Sequence, residues 1–217
     1  MLERPGSGWG PLIEQVSGGK LAWAPWLELV AGYLDELVAW NRRMNLTAAR
    51  SAEELVDLTL ADALAIVGAS PDGGSWIDVG SGAGAPGLVL AMMMPGATVT
   101  LVEPRERRVA FLRTAIGKFG PSGTRVERAR SDLLPEKGWD TAVSRATLPP
   151  SEWLPEGARL ARGAVWVLLS REEPPQLDGL RPDRDLRYEW PLTRVSRRAV
   201  RYVRADEAAS RSAGTPP

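Results

Sequence analysis

Apolar residues recur along the chain with two different periods. Between positions 26 and 40, Leu27, Val30, Ala31, Leu34, Leu37 and Val38 fall at helical spacing and predict an amphipathic helix. A second helix is predicted from Ser51, an N-cap residue with Glu54 three positions on, through Leu55, Leu58, Ala61 and Leu64. Pro71-Asp72-Gly73-Gly74 ends it. Short apolar runs then alternate with helical stretches. Strands are predicted at Ser75 to Val79, Thr98 to Val102, Arg125 to Ala129, Asp140 to Ser144 and Ala164 to Leu169. Helices are predicted up to about Met94, from Arg105 to Phe119 and from Ser151 to Leu160, and a closing hairpin near Leu186 to Trp190 and Ala199 to Val203. Such alternation predicts an α/β fold with a doubly wound, mostly parallel sheet. Four segments follow: a flexible lead-in at 1–20, N-terminal helices at 21–70, an α/β core at 71–204 and a disordered tail at 205–217.

The clearest chemistry lies where the first strand ends. Trp76-Ile77-Asp78-Val79 runs into a turn with Gly80, Gly82 and Gly84, followed by Ala85-Pro86-Gly87 and a helix. Glycines there allow positive φ and close approach of a ligand to the backbone. Gly82-x-Gly84-x-x-Gly87 formally matches a dinucleotide fingerprint. Against that reading, Pro86 lacks an amide donor and Asp78 sets negative charge beside a pyrophosphate. A sulfonium nucleoside, S-adenosylmethionine, suits an acidic strand end better. The next strand ends in Glu103, 23 residues after Gly80. A carboxylate about 20 positions on can accept both ribose hydroxyls.

Composition removes other chemistries. The 217 residues include no Cys and no His. Thiolate nucleophiles, zinc–thiolate sites, Ser-His-Asp triads and most transition-metal sites are excluded, and no metal is expected. With 44% hydrophobic and 25% charged residues the chain reads as an ordinary globular protein. There is no apolar run long enough for a membrane helix and no secretory leader pattern, so a cytoplasmic location is expected. Formal net charge is zero, yet eight Arg face only Asp183, Asp185 and Glu189 between Arg181 and Arg204. Local basic surface of that kind suits a phosphate-bearing partner, although a genome that prefers Arg to Lys gives the same pattern. The nine Trp include Trp23, Trp26 and Trp40 in helical contexts that favour packing over base stacking.

With these residues in hand, the chain resembles the RsmG (GidB) family of 16S rRNA guanine-N7 methyltransferases, from about Tyr33 to Arg204. Trp40-Asn41-Arg42-x-x-Asn45-Leu46-Thr47 is near the family's W-N-K-x-x-N-L-T, and Asp62 matches the acid of H-x-x-D-S. The stretch from Asp78 to Gly87 is close to D-V-G-T-G-x-G-x-P-G, the most specific piece. Arg107-Arg108-Val109-x-Phe111-Leu112 is near K-R-x-x-F-L, and Val143-Ser144-Arg145-Ala146 near I-S-R-A. The resemblance implies a Rossmann-like class I S-adenosylmethionine-dependent methyltransferase with an N-terminal helical extension. It implies cofactor contacts at Gly80, Ala85, Arg130, Ser131 and Arg145, with Glu103 on the ribose and Asp132 near the adenine amine, and the turn itself adds Asp78, Gly82 and Gly84 as candidates. The implied partner is 16S rRNA or the 30S particle, met by a monomer. Candidate RNA contacts are Arg42, Asn45, Arg107, Arg108, Arg197 and Arg198.

The chain departs from the family pattern on the substrate side. Leu58-Thr59 stand where the family has Arg-His, Ala63 replaces a Ser, Ser170 stands at a family Lys, and Arg197-Arg198-Ala199 replace E-R-H. A paralogue with another substrate, or a non-catalytic ribosome-assembly protein, is therefore the alternative. Guanine N7 carries a lone pair and no proton, so its methylation needs no general base, whereas cytosine-C5 methylation needs a Cys. Methylation of an exocyclic amine usually uses an Asn/Asp-Pro-Pro-aromatic loop, of which Thr147-Leu148-Pro149-Pro150-Ser151 keeps only the prolines. Arg145 is the candidate catalytic residue. It contacts the methionine carboxylate or a substrate phosphate, or else pairs structurally with Asp140 or Glu152. Asn45 is read as a turn residue.

Overall fold

The structure is a computed structural model that describes residues 2–19, 24–71 and 73–205. Its order is α1 (Gly10–Ser17), α2 (Ala24–Asn41), α3 (Ala52–Gly68), β1 (Gly74–Val79), α4 (Gly87–Met93), β2 (Ala97–Val102), α5 (Glu106–Phe119), β3 (Thr124–Glu127), β4 (Trp139–Ser144), α6 (Pro150–Leu160), β5 (Ala161–Leu169), β6 (Leu180–Glu189) and β7 (Ser196–Arg204). A 3-10 turn at Ser131–Leu133 follows β3.

The strands form one sheet in the order β3-β2-β1-β4-β5-β7-β6. The first five pair in parallel, and β7 joins β5 and β6 antiparallel. Side chains alternate across the central strands because the strand repeat is two residues. Trp76, Leu101, Val143 and Trp166 enter the cluster shared with α1 to α5, while Ile77, Val102, Ala142 and Val165 pack with Trp153, Leu154 and Leu160 of α6. Coverage on both faces is why these strands read as continuous apolar runs. The order reverses beside β1, since β2 lies on one side and β4 on the other. Open parallel sheets bind ligands in the crevice at such a switch point, at the carboxyl ends of the strands.

The N-terminal stretch differs from expectation. Residues 10–17 form a helix, with Trp9 1% and Ile13 0% exposed, and the Trp9 indole donates to Asp35 at 2.7 Å. The lead-in is therefore a packed element, because burying two large side chains outweighs the Gly/Pro punctuation around them. Ser51 caps α3 as predicted, its Oγ accepting from Glu54 N at 3.2 Å. The reciprocal bond goes one residue early, from Arg50 N to Glu54 Oε2 at 2.7 Å. Asn41, rather than Asn45, holds the turn after α2. Its Oδ1 accepts from Leu46 N (2.8 Å) and Thr47 N (3.1 Å), and Asn45 stays exposed.

The last hairpin is longer than predicted and is tied to α3. Asp57, fully buried, accepts from Thr193 N (2.7 Å), Thr193 Oγ1 (2.8 Å) and Leu192 N (3.1 Å) in the β6–β7 turn. The expected basic surface is partly neutralised inside this hairpin. Arg198 grips Asp185 with two bonds of 2.8 and 2.7 Å, and Arg201 pairs with Asp183. Among the described residues no helix is long and apolar enough to cross a membrane, and no group of three or more acidic residues is placed to hold a metal. The tail from 206 onward and Trp23 lie outside the described residues.

Candidate active site

The glycine turn is built by hydrogen bonds to its neighbours. Gly80 N and Ser81 N both donate to Val102 O of β2, at 2.8 and 3.0 Å, and Ser81 Oγ donates to Asp78 O at 2.8 Å. Tyr33 of α2 reaches across and donates its hydroxyl to Ala83 O. Two glycines are required by contact. Gly80 has φ +72, and a Cβ there would lie 2.0 Å from Thr147 Oγ1. Gly87 lets α4 approach β1, since a Cβ would lie 2.5 Å from both Asp78 Oδ2 and Leu101 Cδ2. Gly84 faces inward toward Tyr33, Leu88 and Leu112.

Asp78 lies beneath the turn, 1% exposed, instead of on the cleft wall. Its Oδ2 accepts from Gly87 N at 3.1 Å, and its Oδ1 is buried with no partner. Burial pushes its carboxyl from 3.8 up to about 6, against the pull of the Gly87 amide and Arg145. A raised acid stabilises the fold fully below pH 3.8 and loses that contribution as pH rises through 6. The interval corresponds to about 3 kcal/mol. Asp78→Asn is therefore expected to raise the stability of the ligand-free protein at pH 8, with the gain shrinking toward pH 4. Urea midpoints across that range check it, and a gain that does not change with pH contradicts it.

Glu103 stands at the end of β2, 2% exposed. Its Oε2 accepts from Gly82 N at 3.1 Å, its Oε1 accepts from Arg105 N at 2.9 Å, and Arg108 Nη1 lies 3.7 Å away. It borders the cleft with Gly80, Gly82 and Ala85. On the far side of Gly80 the cleft continues as a slot between Val79, Val102, Ala129 and Leu148, closed by Arg130, Ser131 and Asp132. Arg159 of α6 pins that closing turn, donating to Ser131 O at 2.7 Å and Leu134 O at 3.0 Å. An apolar slot with polar ends beside a carboxylate has the donor set of a nucleoside site, with the unpartnered Asp78 oxygen below the turn.

Arg145 follows β4 at the opposite end of the cleft. It pairs with neither Asp140 nor Glu152, which corrects the structural alternative. Asp140 sits at the start of β4, where it binds Ser75 and Arg162, and Glu152 borders the slot. Arg145 instead donates Nη1 to Leu58 O and to Asp62 Oδ2, the latter at 3.2 Å. Asp62 Oδ1 accepts from Tyr188 (2.8 Å) and the Trp190 indole (2.9 Å). Arg145, Leu58 and Ala146 form the shared wall between the cleft beside Gly80 and a further cavity lined by Ser170, Glu172, Trp190 and Arg197.

The RNA candidates separate. Arg108 borders the cleft, and Arg197 lies 4.0 Å above the Trp190 ring with Nη1 bonded to Ser170 Oγ at 2.8 Å. Arg42 and Arg107 are exposed on α2's end and α5, away from these cavities, and Arg198 is neutralised by Asp185 and Glu173. Asp57, Asp62's aromatic partners and Arg159 were missed by sequence reasoning. Only the acid of the Asp62 motif offered a signal.

The rRNA small subunit methyltransferase G family matches this chain over residues 27–171. The ribosomal RNA small subunit methyltransferase G of Halorhodospira halophila is 40% identical over 147 residues, covering 67% of this chain and 70% of that protein. Its counterpart in Alkalilimnicola ehrlichii is 39% identical over 150 residues, covering 69% and 68%. A SAM-dependent methyltransferase structure from Aquifex aeolicus shares the fold at TM-score 0.51 and 18% identity, over 69% of this chain and 92% of that one. On the family match and these relatives together, the chain belongs to the rRNA small subunit methyltransferase G family.

Proposed function

We propose that this protein transfers a methyl group from S-adenosylmethionine to N7 of a guanine in small-subunit rRNA. The observation that carries the reading is a row of adjoining cavities. It runs from the Ala129–Ser131 slot past Gly80 and Glu103 to Arg145, where a second cavity opens from the same wall. A nucleoside cofactor fits the first part and an acceptor base the second.

The residues divide the work accordingly. Val79, Val102 and Leu148 would sandwich adenine, with Ser131 and Asp132 at its edge. Glu103 has lone pairs left for the ribose hydroxyls after its two backbone bonds. The bound cofactor supplies an electrophilic methyl on a sulfonium. Arg145 holds the wall between the two cavities, and its remaining N–H groups serve the methionine carboxylate or an RNA phosphate. Guanine N7 attacks in line from about 3–3.5 Å, and catalysis is then mainly positioning. No proton leaves N7, consistent with a site that lacks His and Cys.

The substrate is 16S rRNA, free or within the 30S particle, and the enzyme acts as a monomer in the cytoplasm. Labelled-methyl transfer to 30S particles and naked rRNA from a deletion strain, with mass spectrometry of the nucleosides, tests this. N7-methylguanosine is expected to reappear on adding the protein. Label on another nucleoside, or none despite cofactor binding, overturns it.

A further inference from the structure

Beyond Arg145, the second cavity carries a charge that positioning alone leaves unexplained. Glu172 lines its exposed rim, just past the end of β5. Its Oε2 accepts from Ser170 N at 2.8 Å and Arg171 N at 3.0 Å, which fixes the carboxylate to the backbone. Among the described residues, Oε1 has no hydrogen-bond partner. Its own backbone amide, those of Ser170 and Arg171 and the nearby Arg197 guanidinium hold the group below the ordinary carboxylate range, so it is ionised at neutral pH. Leu58, Tyr188 and Trp190 supply apolar and aromatic wall around it. Trp190 is fixed by its bond to Asp62 and by Arg197 over its ring.

We propose that Glu172 receives the Watson–Crick edge of the acceptor guanine and stabilises the positive charge that the base acquires. This rests on the N7 reading above. Guanine offers N1–H and the exocyclic N2–H2 as donors on that edge, and an ionised carboxylate is their complement. Adenine presents an acceptor at N1 and would face the carboxylate with a lone pair. The reaction adds a second reason. The N7 lone pair forms the new N–C bond, the S–C pair withdraws to sulfur, and the positive charge passes to the purine with no proton lost. The purine N–H donors therefore strengthen as the methyl moves. A fixed carboxylate on N1–H binds the transition state more tightly than the ground state, which raises kcat and not only affinity.

Glu172→Gln tests the charge while keeping the shape, because an amide oxygen still accepts from Ser170 N and Arg171 N. Single-turnover methylation of unmethylated 30S particles is measured with saturating cofactor, normalised to cofactor-binding sites found by calorimetry. The rate of E172Q is expected to fall about ten- to a hundredfold, as for loss of a hydrogen bond to a charged group. Its affinity for S-adenosylmethionine and its thermal midpoint are expected to match wild type. Glu173→Gln, one residue on and outside this cavity, removes a charge from the same rim and is expected to leave the rate within twofold. An E172Q rate within twofold of wild type overturns the proposal, and so does an equal loss in E173Q. Normalisation per binding site makes a partly unfolded sample equally decisive. Absence of N7-methylguanosine with the wild-type enzyme would instead overturn the N7 reading, so the two failures are distinct.

Discussion

Gly80→Ala is expected to abolish measurable S-adenosylmethionine binding, with a loss of at least about a hundredfold, or roughly 2.7 kcal/mol. Two causes act at one atom. The residue has φ +72, a conformation that costs an L side chain about 1–2 kcal/mol. The new methyl would also sit 2.0, 2.6 and 2.8 Å from the Oγ1, Cγ2 and Cβ of Thr147. Thr147 cannot simply rotate away, because its hydroxyl donates to Val79 O at 3.1 Å and its backbone follows the positive-φ Ala146. The turn must move, and with it the amides of Gly80 and Ser81 that close on Val102 O. That displaces the floor shared by both parts of the proposed cofactor cleft. Calorimetric titration checks the loss, and the double variant Gly80→Ala with Thr147→Gly is expected to recover part of it by removing the clash and leaving the strain. A single variant that binds within tenfold of wild type contradicts the argument.

Asp62→Ala is expected to destabilise the protein by about 3–5 kcal/mol, the cost of removing one partner from a buried charged network. Asp62 is 2% exposed and accepts from Tyr188, Trp190 and Arg145 at once. Alanine would strand a buried indole N–H, a phenol and a guanidinium at one point. A domain of ordinary stability holds only about 5–15 kcal/mol in total, so the loss is a large share. Methyl transfer is expected to fall as well, since Arg145 loses the carboxylate that fixes its wall. Asp62→Asn keeps an oxygen for the aromatic donors but turns an amide toward Arg145, so an intermediate loss is expected. Urea unfolding followed by tryptophan fluorescence checks the order. A loss below 1 kcal/mol for the alanine variant would show the network to be dispensable.

How much of this was readable beforehand depends on the range of each interaction. Strands β1 to β5 and helices α2 to α6 follow from local periodicity, and each was predicted within a few residues. The glycine turn and Glu103 were legible because their spacing along the chain is itself the signal. What failed was long-range or short of repeats. Helix α1 spans eight residues and opens at Gly10-Pro11, too little to show a period, yet Trp9 and Ile13 bury it. Tyr188 and Trp190 lie 126 and 128 positions from the carboxylate they share, and no pattern in sequence couples them. A separation of 83 positions likewise hid the partner of Arg145, for which nearer acids were the natural guess. Of the Arg-rich C-terminal stretch, Arg198 and Arg201 face acids across the β6–β7 ladder, a pairing that counting charges along the chain cannot register.

The attachment of α3 to the β6–β7 hairpin sets an order on biosynthesis. The glycine turn, Glu103 and the slot beside them belong to residues made before position 160, whereas Tyr188, Trp190 and the amides that seize Asp57 emerge later. A nascent chain can thus close the proposed nucleoside pocket while the wall of the proposed acceptor cavity is still missing. The proposed acceptor wall is complete only once the β6–β7 hairpin has docked on α3.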